Sequence, residues 1–285
     1  MTFKAAAIQM CSGVDTERNA VTLRRLVREA AGHGAIYVQT PEMTGAVQRD
    51  RKGLATILRD EANDIIVRTA SELASELNIH LHIGSTAISL GDGMIANRGF
   101  LFSPTGARIC SYDKIHMFDV DLDNGESWRE SSVYRPGGAA RVADLPFAKL
   151  GFGICYDVRF PALFRAEAMA GAEILTAPAA FTRQTGEAHW EVLLRARAIE
   201  NGAFFIAAAQ AGIHEDGRET FGHSMIVDPW GKILASAGGT GEAVVLADID
   251  ISAVAAARAK IPNLKNGRDF ALDIFPTLAK GGVTV

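Results

Sequence analysis

The chain has 285 residues, 48% hydrophobic and 22% charged, with 29 basic and 33 acidic side chains and a net charge of −4. This is an ordinary globular composition with ample length for a large core. The mild acidic balance speaks against nucleic acid as a partner, because phosphate binding needs a basic face. Three cysteines, Cys11, Cys110 and Cys155, are an odd and low number for a disulfide framework and point to a reducing, cytoplasmic setting. No apolar run has the length of a membrane span, so no membrane partner is expected. The N-terminal stretch lacks the shape of a signal peptide and reads as a buried strand.

Residues 3–9 form that first strand. Asp15 or Thr16 then caps a helix with Leu23, Leu26, Val27 and Ala30 at helical spacing, and Gly32 and Gly34 end it. A strand over 36–40 follows, then a helix over about 60–77 that buries Ile66, Ala70, Leu73 and Leu77, then a strand over 79–84. Strands separated by helices predict a largely parallel sheet with right-handed crossovers. Residues 99–102 and 107–110 flank Ser103-Pro104-Thr105-Gly106 as a hairpin. The same pattern returns at 224–227, Asp228-Pro229-Trp230-Gly231 and 232–234, which hints at internal pseudo-symmetry. Between these hairpins lie a strand over 149–154, a helix opening near Pro161, a strand over 173–177, a helix over 187–201 and a strand over 204–207. No linker rich in Pro, Gly or Ser divides the halves. One α/β domain over 1–285, with sheets layered under helices, is the fold expected.

Three polar residues sit where chemistry would want them. Glu42 directly follows the strand over 36–40, Cys155 closes the strand over 149–154, and Lys114 lies just past the first hairpin. Ligands in open α/β sheets collect at the carboxyl ends of strands. Gly151 and Gly153 relieve crowding before Cys155, and the chain must then turn toward the helix at Pro161. A nucleophile on such a turn is exposed, and the N–H of the next residue can face a developing oxyanion. A nearby lysine is expected to lower the thiol pKa, and a carboxylate to take and return protons.

Pro41-Glu42, Tyr112-Asp113-Lys114-Ile115-His116-Met117-Phe118 and Gly153-Ile154-Cys155-Tyr156-Asp157-Val158-Arg159-Phe160-Pro161 resemble, in order, the three signatures of the nitrilase superfamily, the carbon–nitrogen hydrolases. Residues 189–200 and 222–231 are similar to the Nit branch of that family. The resemblance implies a four-layer α-β-β-α sandwich, a homo-oligomer (a dimer or larger), and no metal or organic cofactor. It implies Cys155 as nucleophile, Glu42 as general base, and Lys114 with the Tyr156 N–H as the oxyanion hole. A second glutamate is implied between the Lys and Cys motifs. Glu130 matches best, because Pro136-Gly137 follows at the family's spacing, and Glu126 is its competitor. Phe181 and Thr182, on the loop after the strand ending at Ala177, are expected to contact substrate. Asp157 and Arg159 are expected to brace the turn under Cys155. Where the Nit branch carries aromatic residues after Pro-Glu, this chain has Met43-Thr44-Gly45-Ala46, which leaves the substrate open.

The activity implied is hydrolysis of a linear terminal carboxamide on a small carboxylate-bearing acid, through a thioester and with release of ammonia. Deaminated glutathione is the first candidate and an ω-amide of a 2-oxo acid the second. Three other readings stand beside it. The same triad serves N-carbamoyl compounds and nitriles. His80 and His82, on one face of a strand, fit a metal-dependent amidohydrolase. A catalytically silent binding protein is the non-enzymatic reading.

Overall fold

The computed structural model describes residues 1–121, 125 and 127–275. In chain order its first half contains β1 (Thr2–Gln9), α1 (Thr16–Gly32), β2 (Tyr37–Gln39), α2 (Arg51–Ile57), α3 (Ile65–Leu77), β3 (His80–Ser89), β4 (Ile95–Phe102), β5 (Arg108–Asp113), β6 (Asp119–Asp121) and β7 (Ser127–Arg129). The second contains β8 (Val142–Asp144), β9 (Lys149–Phe152), α4 (Pro161–Met169), β10 (Ile174–Thr176), α5 (Arg183–Asn201), β11 (Phe204–Ala207), β12 (Ala211–Ile213), β13 (Glu219–Phe221), β14 (Met225–Val227), β15 (Ile233–Ser236), β16 (Ala243–Asp250) and α6 (Ser252–Lys260).

Two six-stranded sheets form the centre, in the orders β16-β1-β2-β3-β4-β5 and β15-β14-β11-β10-β9-β8. In the first, β1, β2 and β3 run parallel, β16 is antiparallel to β1, and the β4–β5 hairpin is antiparallel beyond β3. In the second, β9, β10 and β11 run parallel, β8 is antiparallel to β9, and the β14–β15 hairpin is antiparallel beyond β11. The two sheets therefore share one topology, as the repeated hairpin pattern suggests.

Side-chain alternation assigns the layers. Along β1, Ala6 and Ile8 face Leu23, Leu26 and Val27 of α1 and Ile66, Ala70 and Leu73 of α3. Ala5 and Ala7 face the other way, into the cluster shared with Leu150, Phe152 and Ile174 of the second sheet. Trp190 and Leu194 of α5 and Phe164 of α4 join that cluster from the far side. The result is the expected α-β-β-α sandwich.

Most elements lie where the pattern places them, with informative differences. Asp15, not Thr16, caps α1, its carboxylate accepting from the N–H groups of Glu17 and Arg18. The helix expected from about residue 60 starts at Ile65, because Asp64 caps it there, and the separate short α2 is capped by Asp50. β3 continues to Ser89, since β4 offers it a partner along that length. α5 opens at Arg183, one turn before the expected 187. β16 and α6 lie beyond the last element the sequence reading places. Among the described residues no helix is long and apolar enough to cross a membrane.

Candidate active site

Glu42, Lys114 and Cys155 reach one place from three segments. The loop after β2 carries Glu42 and is pinned on both sides of it. Thr40 and Thr44 share a hydroxyl–hydroxyl bond of 2.7 Å, and the Met43 N–H donates to Ser85 Oγ at 2.9 Å. Gly84 on β3 makes this approach possible. A Cβ there would lie 2.1 Å from Thr40 O and 2.5 Å from Pro178 Cβ, so the loops after β2 and β10 both press on a residue without a side chain.

Cys155 opens a single 3-10 turn, Cys155–Arg159, right after β9. Its φ is +50°, the left-handed region, at a strain of about 1–3 kcal/mol for a residue with a Cβ. Asp157 supplies the constraint. Fully buried, it accepts from Ile154 N (2.8 Å), Tyr112 Oη (2.8 Å) and His116 N (3.0 Å), and His116 Nδ1 lies 2.7 Å away. Asp157 is the brace the sequence suggests. Gly153 packs against the Phe164 ring, where a Cβ would come within 2.7 Å. Arg159 lies over the Phe181 and Tyr156 rings.

Lys114, just past β5, is 2% exposed. Its Nζ donates to Glu42 Oε1 at 2.9 Å and to both oxygens of Glu130, at 3.0 and 2.9 Å. Glu130 thus joins the site, fixed further by the Phe118 N–H at 2.6 Å. Glu126 lies outside the described residues. Asn97 of β4, which the sequence reading misses, donates to Glu42 Oε1 at 2.9 Å and to Glu130 Oε1 at 3.2 Å. The Ala180 N–H, also missed, donates to Glu42 Oε2 at 2.9 Å across 138 residues of chain. No signal in the sequence marks either: Asn97 shares β4 with Arg98, and Ala180 contributes only its backbone.

The electrostatics follow from burial and pairing. Burial alone pushes the Glu42 carboxyl up. The Lys114 charge and hydrogen bonds from Cys155 and Lys114 outweigh it and leave the pKa below the usual 4.5. Burial likewise works against the Lys114 ammonium, but Glu130 and Glu42 hold it well above its ordinary value. Cys155 goes the other way. Burial first, then the Glu42 charge, raise the thiol above 9.0, and the opposing pull of Lys114 is weaker. This corrects the expectation of a lysine-depressed thiol: Lys114 spends its charge on two carboxylates, and the balance favours a neutral thiol beside an ionised Glu42.

All four side chains line one cavity of about 340 Å³. Tyr156, Phe181 and Thr182 line it too, as do Met43, Ala46 and Val47 from the departing loop. A 3-10 turn has no internal acceptor for its first N–H groups, and that of Tyr156 is one of them. His80 and His82 lie elsewhere, in the core. His82 Nδ1 is 2.8 Å from Tyr37 Oη, its ring packs edge-on to Phe152, and burial lowers its pKa to about 3. His80 packs edge-on to Phe147. No three metal-ligating side chains converge among the described residues.

Comparison with known proteins fits this geometry. The carbon–nitrogen hydrolase family model matches residues 4–259. The chain is a carbon–nitrogen hydrolase. A deaminated glutathione amidase from Yersinia enterocolitica is 38% identical over 96% of each chain. An omega-amidase from Mus musculus is 37% identical over 94% of this chain and 95% of that one. The Caenorhabditis elegans NitFhit crystal structure superposes with a TM-score of 0.86 at 33% identity. It covers 94% of this hydrolase, which spans 65% of the NitFhit chain. The hydrolase therefore has the nitrilase fold and acts on carbon–nitrogen bonds, and the Glu, Lys and Cys signatures read in its sequence are those of its family.

Proposed function

We propose that this hydrolase cleaves a linear amide of a small carboxylate-bearing acid at Cys155. The observation that carries the reading is the convergence of a thiol, an ionised carboxylate and an ammonium on one buried cavity. The Cys155 proton passes to Glu42 as sulfur attacks the amide carbonyl. Lys114 Nζ–H and the Tyr156 N–H hold the oxyanion; one such donor is worth about 10²–10³ in rate. Glu42 returns the proton to the departing nitrogen as the C–N bond breaks, leaving a thioester. It next takes a proton from water, which attacks the thioester, and the thiol is restored as the acid leaves. Glu130 and Asn97 act as positioning residues by fixing Lys114 and Glu42. Phe181 and Thr182 contact the acyl part.

The relatives' names support deaminated glutathione as first candidate substrate and an ω-amide of a 2-oxo acid as second. The two differ in what leaves. An ω-amide releases ammonia, whereas deaminated glutathione carries only substituted amides and releases an amine; Glu42 has the same task in both. We also infer that residues 1–285 act as one domain, in the cytoplasm, as a homo-oligomer. Exposed Val192 and Ile199 on α5 and exposed Trp230 offer apolar surface for the last. Product analysis across deaminated glutathione, 2-oxoglutaramate, N-carbamoyl compounds and nitriles, with Cys155→Ser as control, tests the reaction. A variant that kept wild-type rates would sink it.

A further inference from the structure

At the catalytic end of the cavity one ammonium, Lys114, faces two carboxylates, Glu42 and Glu130. Four arginines line the rest of it. Arg129 pairs with Asp121 at 2.9 Å, and Arg51 donates to Ser132 O at 2.6 Å. The other two, Arg49 and Arg218, both lie against the Trp128 ring. Their guanidinium carbons lie 4.8 and 4.7 Å from the centre of the Trp128 ring.

Two cations on one indole are each attracted to the ring and repelled by one another. Asp216 locks this arrangement through backbone, accepting from Arg49 N and Arg218 N at 2.9 Å each. Arg218 Nη2 donates to Ala180 O at 2.7 Å, on the residue whose N–H holds Glu42. Arg218 Nε and Trp128 Nε1 are buried without a hydrogen-bond partner among the described residues. Buried donors of this kind are rare in folded proteins and call for an acceptor. Cationic, aromatic and short of acceptors, this end of the cavity fits an anion.

We propose that Arg49 and Arg218, held on Trp128, form a carboxylate subsite that selects amides bearing an anionic group remote from the bond to be cut. The planar guanidinium matches a carboxylate edge, which an ammonium does not. This inference rests on the amidase reading of Cys155 and adds to it the residues that choose the substrate.

Glutaramate and its uncharged counterpart pentanamide test it. The ratio of their kcat/KM values is expected to fall about ten-fold in Arg49→Gln, with the loss in KM rather than kcat, and to recover only in part in Arg49→Lys. Calorimetric binding of glutarate to Cys155→Ser reads the subsite without turnover, and Kd is expected to weaken about ten-fold when Arg49→Gln is added. An unchanged ratio together with an unchanged Kd overturns the subsite. Absent turnover in the wild type with glutarate binding intact overturns the amidase reading and leaves the subsite standing.

Discussion

The two sheets are built to one plan and end differently. In the first, the chain leaves β2 through Pro41-Glu42 and leaves its hairpin through Lys114. In the second, the exits from β10 and from the hairpin run Ala177-Pro178 and Ala237-Gly238-Gly239, with no ionisable side chain. What the second sheet supplies is Cys155, after β9, and the Ala180 N–H. The duplicated part is the scaffold. Chemistry arises because one copy ends in charge and the other in a nucleophile and a backbone donor, and the two face each other across the core. Two copies of the first end would have a base but no nucleophile, and two copies of the second a nucleophile but no base.

If that division of labour is right, Cys155→Ser gives the largest effect. Turnover should fall by at least about 10³-fold with Tm little changed, because the hydroxyl is a far weaker nucleophile in the same strained turn. Glu42→Gln, on the opposite sheet, should cost about 10²–10⁴ in kcat and abolish release of any acyl group already on sulfur, which intact-mass measurement would detect. Asp157→Asn should lower both stability and rate. It turns an amide N–H₂ toward the donors on one of the two carboxylate oxygens, Ile154 N–H and Tyr112 Oη–H or the His116 N–H, at a cost of about 2–4 kcal/mol, and thermal unfolding beside kcat separates the two. The pH profile comes next. Glu42 must be ionised and its pKa is depressed, so activity is present above that value and lost as pH falls through it, below 4.5. The thiol must be protonated and its pKa is raised, so the alkaline limb lies above 9.0. A limb near neutrality would mean that a different pair does the work. Smallest of all, Lys232→Ala on the second hairpin should leave kcat/KM within about two-fold and stability within about 0.5 kcal/mol, as exposed positions usually do.

The sequence made the inner end of the site readable for a definite reason. Glu42 and Cys155 sit at strand ends, where alternation and glycines announce a turn, and Lys114 is close behind a hairpin. Glu130 could be preferred over Glu126 from its spacing to Pro136-Gly137. Asn97, Ala180 and Arg218 could not be read. They reach the site through tertiary packing, and one of them contributes only backbone. The balance of charge was also beyond sequence. A lysine near a thiol suggests a thiolate, and only the structure shows two carboxylates claiming that lysine first. β16 escaped notice because its partner is the first strand, with Thr2 opposite Asp250.

That pairing has a consequence for how the chain is made. Until Ala243–Asp250 has left the ribosome, one edge of β1 has no neighbour, and its row of unpaired amides is open to any other strand nearby. The second sheet, drawn from 142–236, can close earlier than the first, although the first begins the chain. Contacts so distant in sequence also slow folding. A chaperone, or a pause late in translation, would have most to protect in the oldest part of the nascent chain.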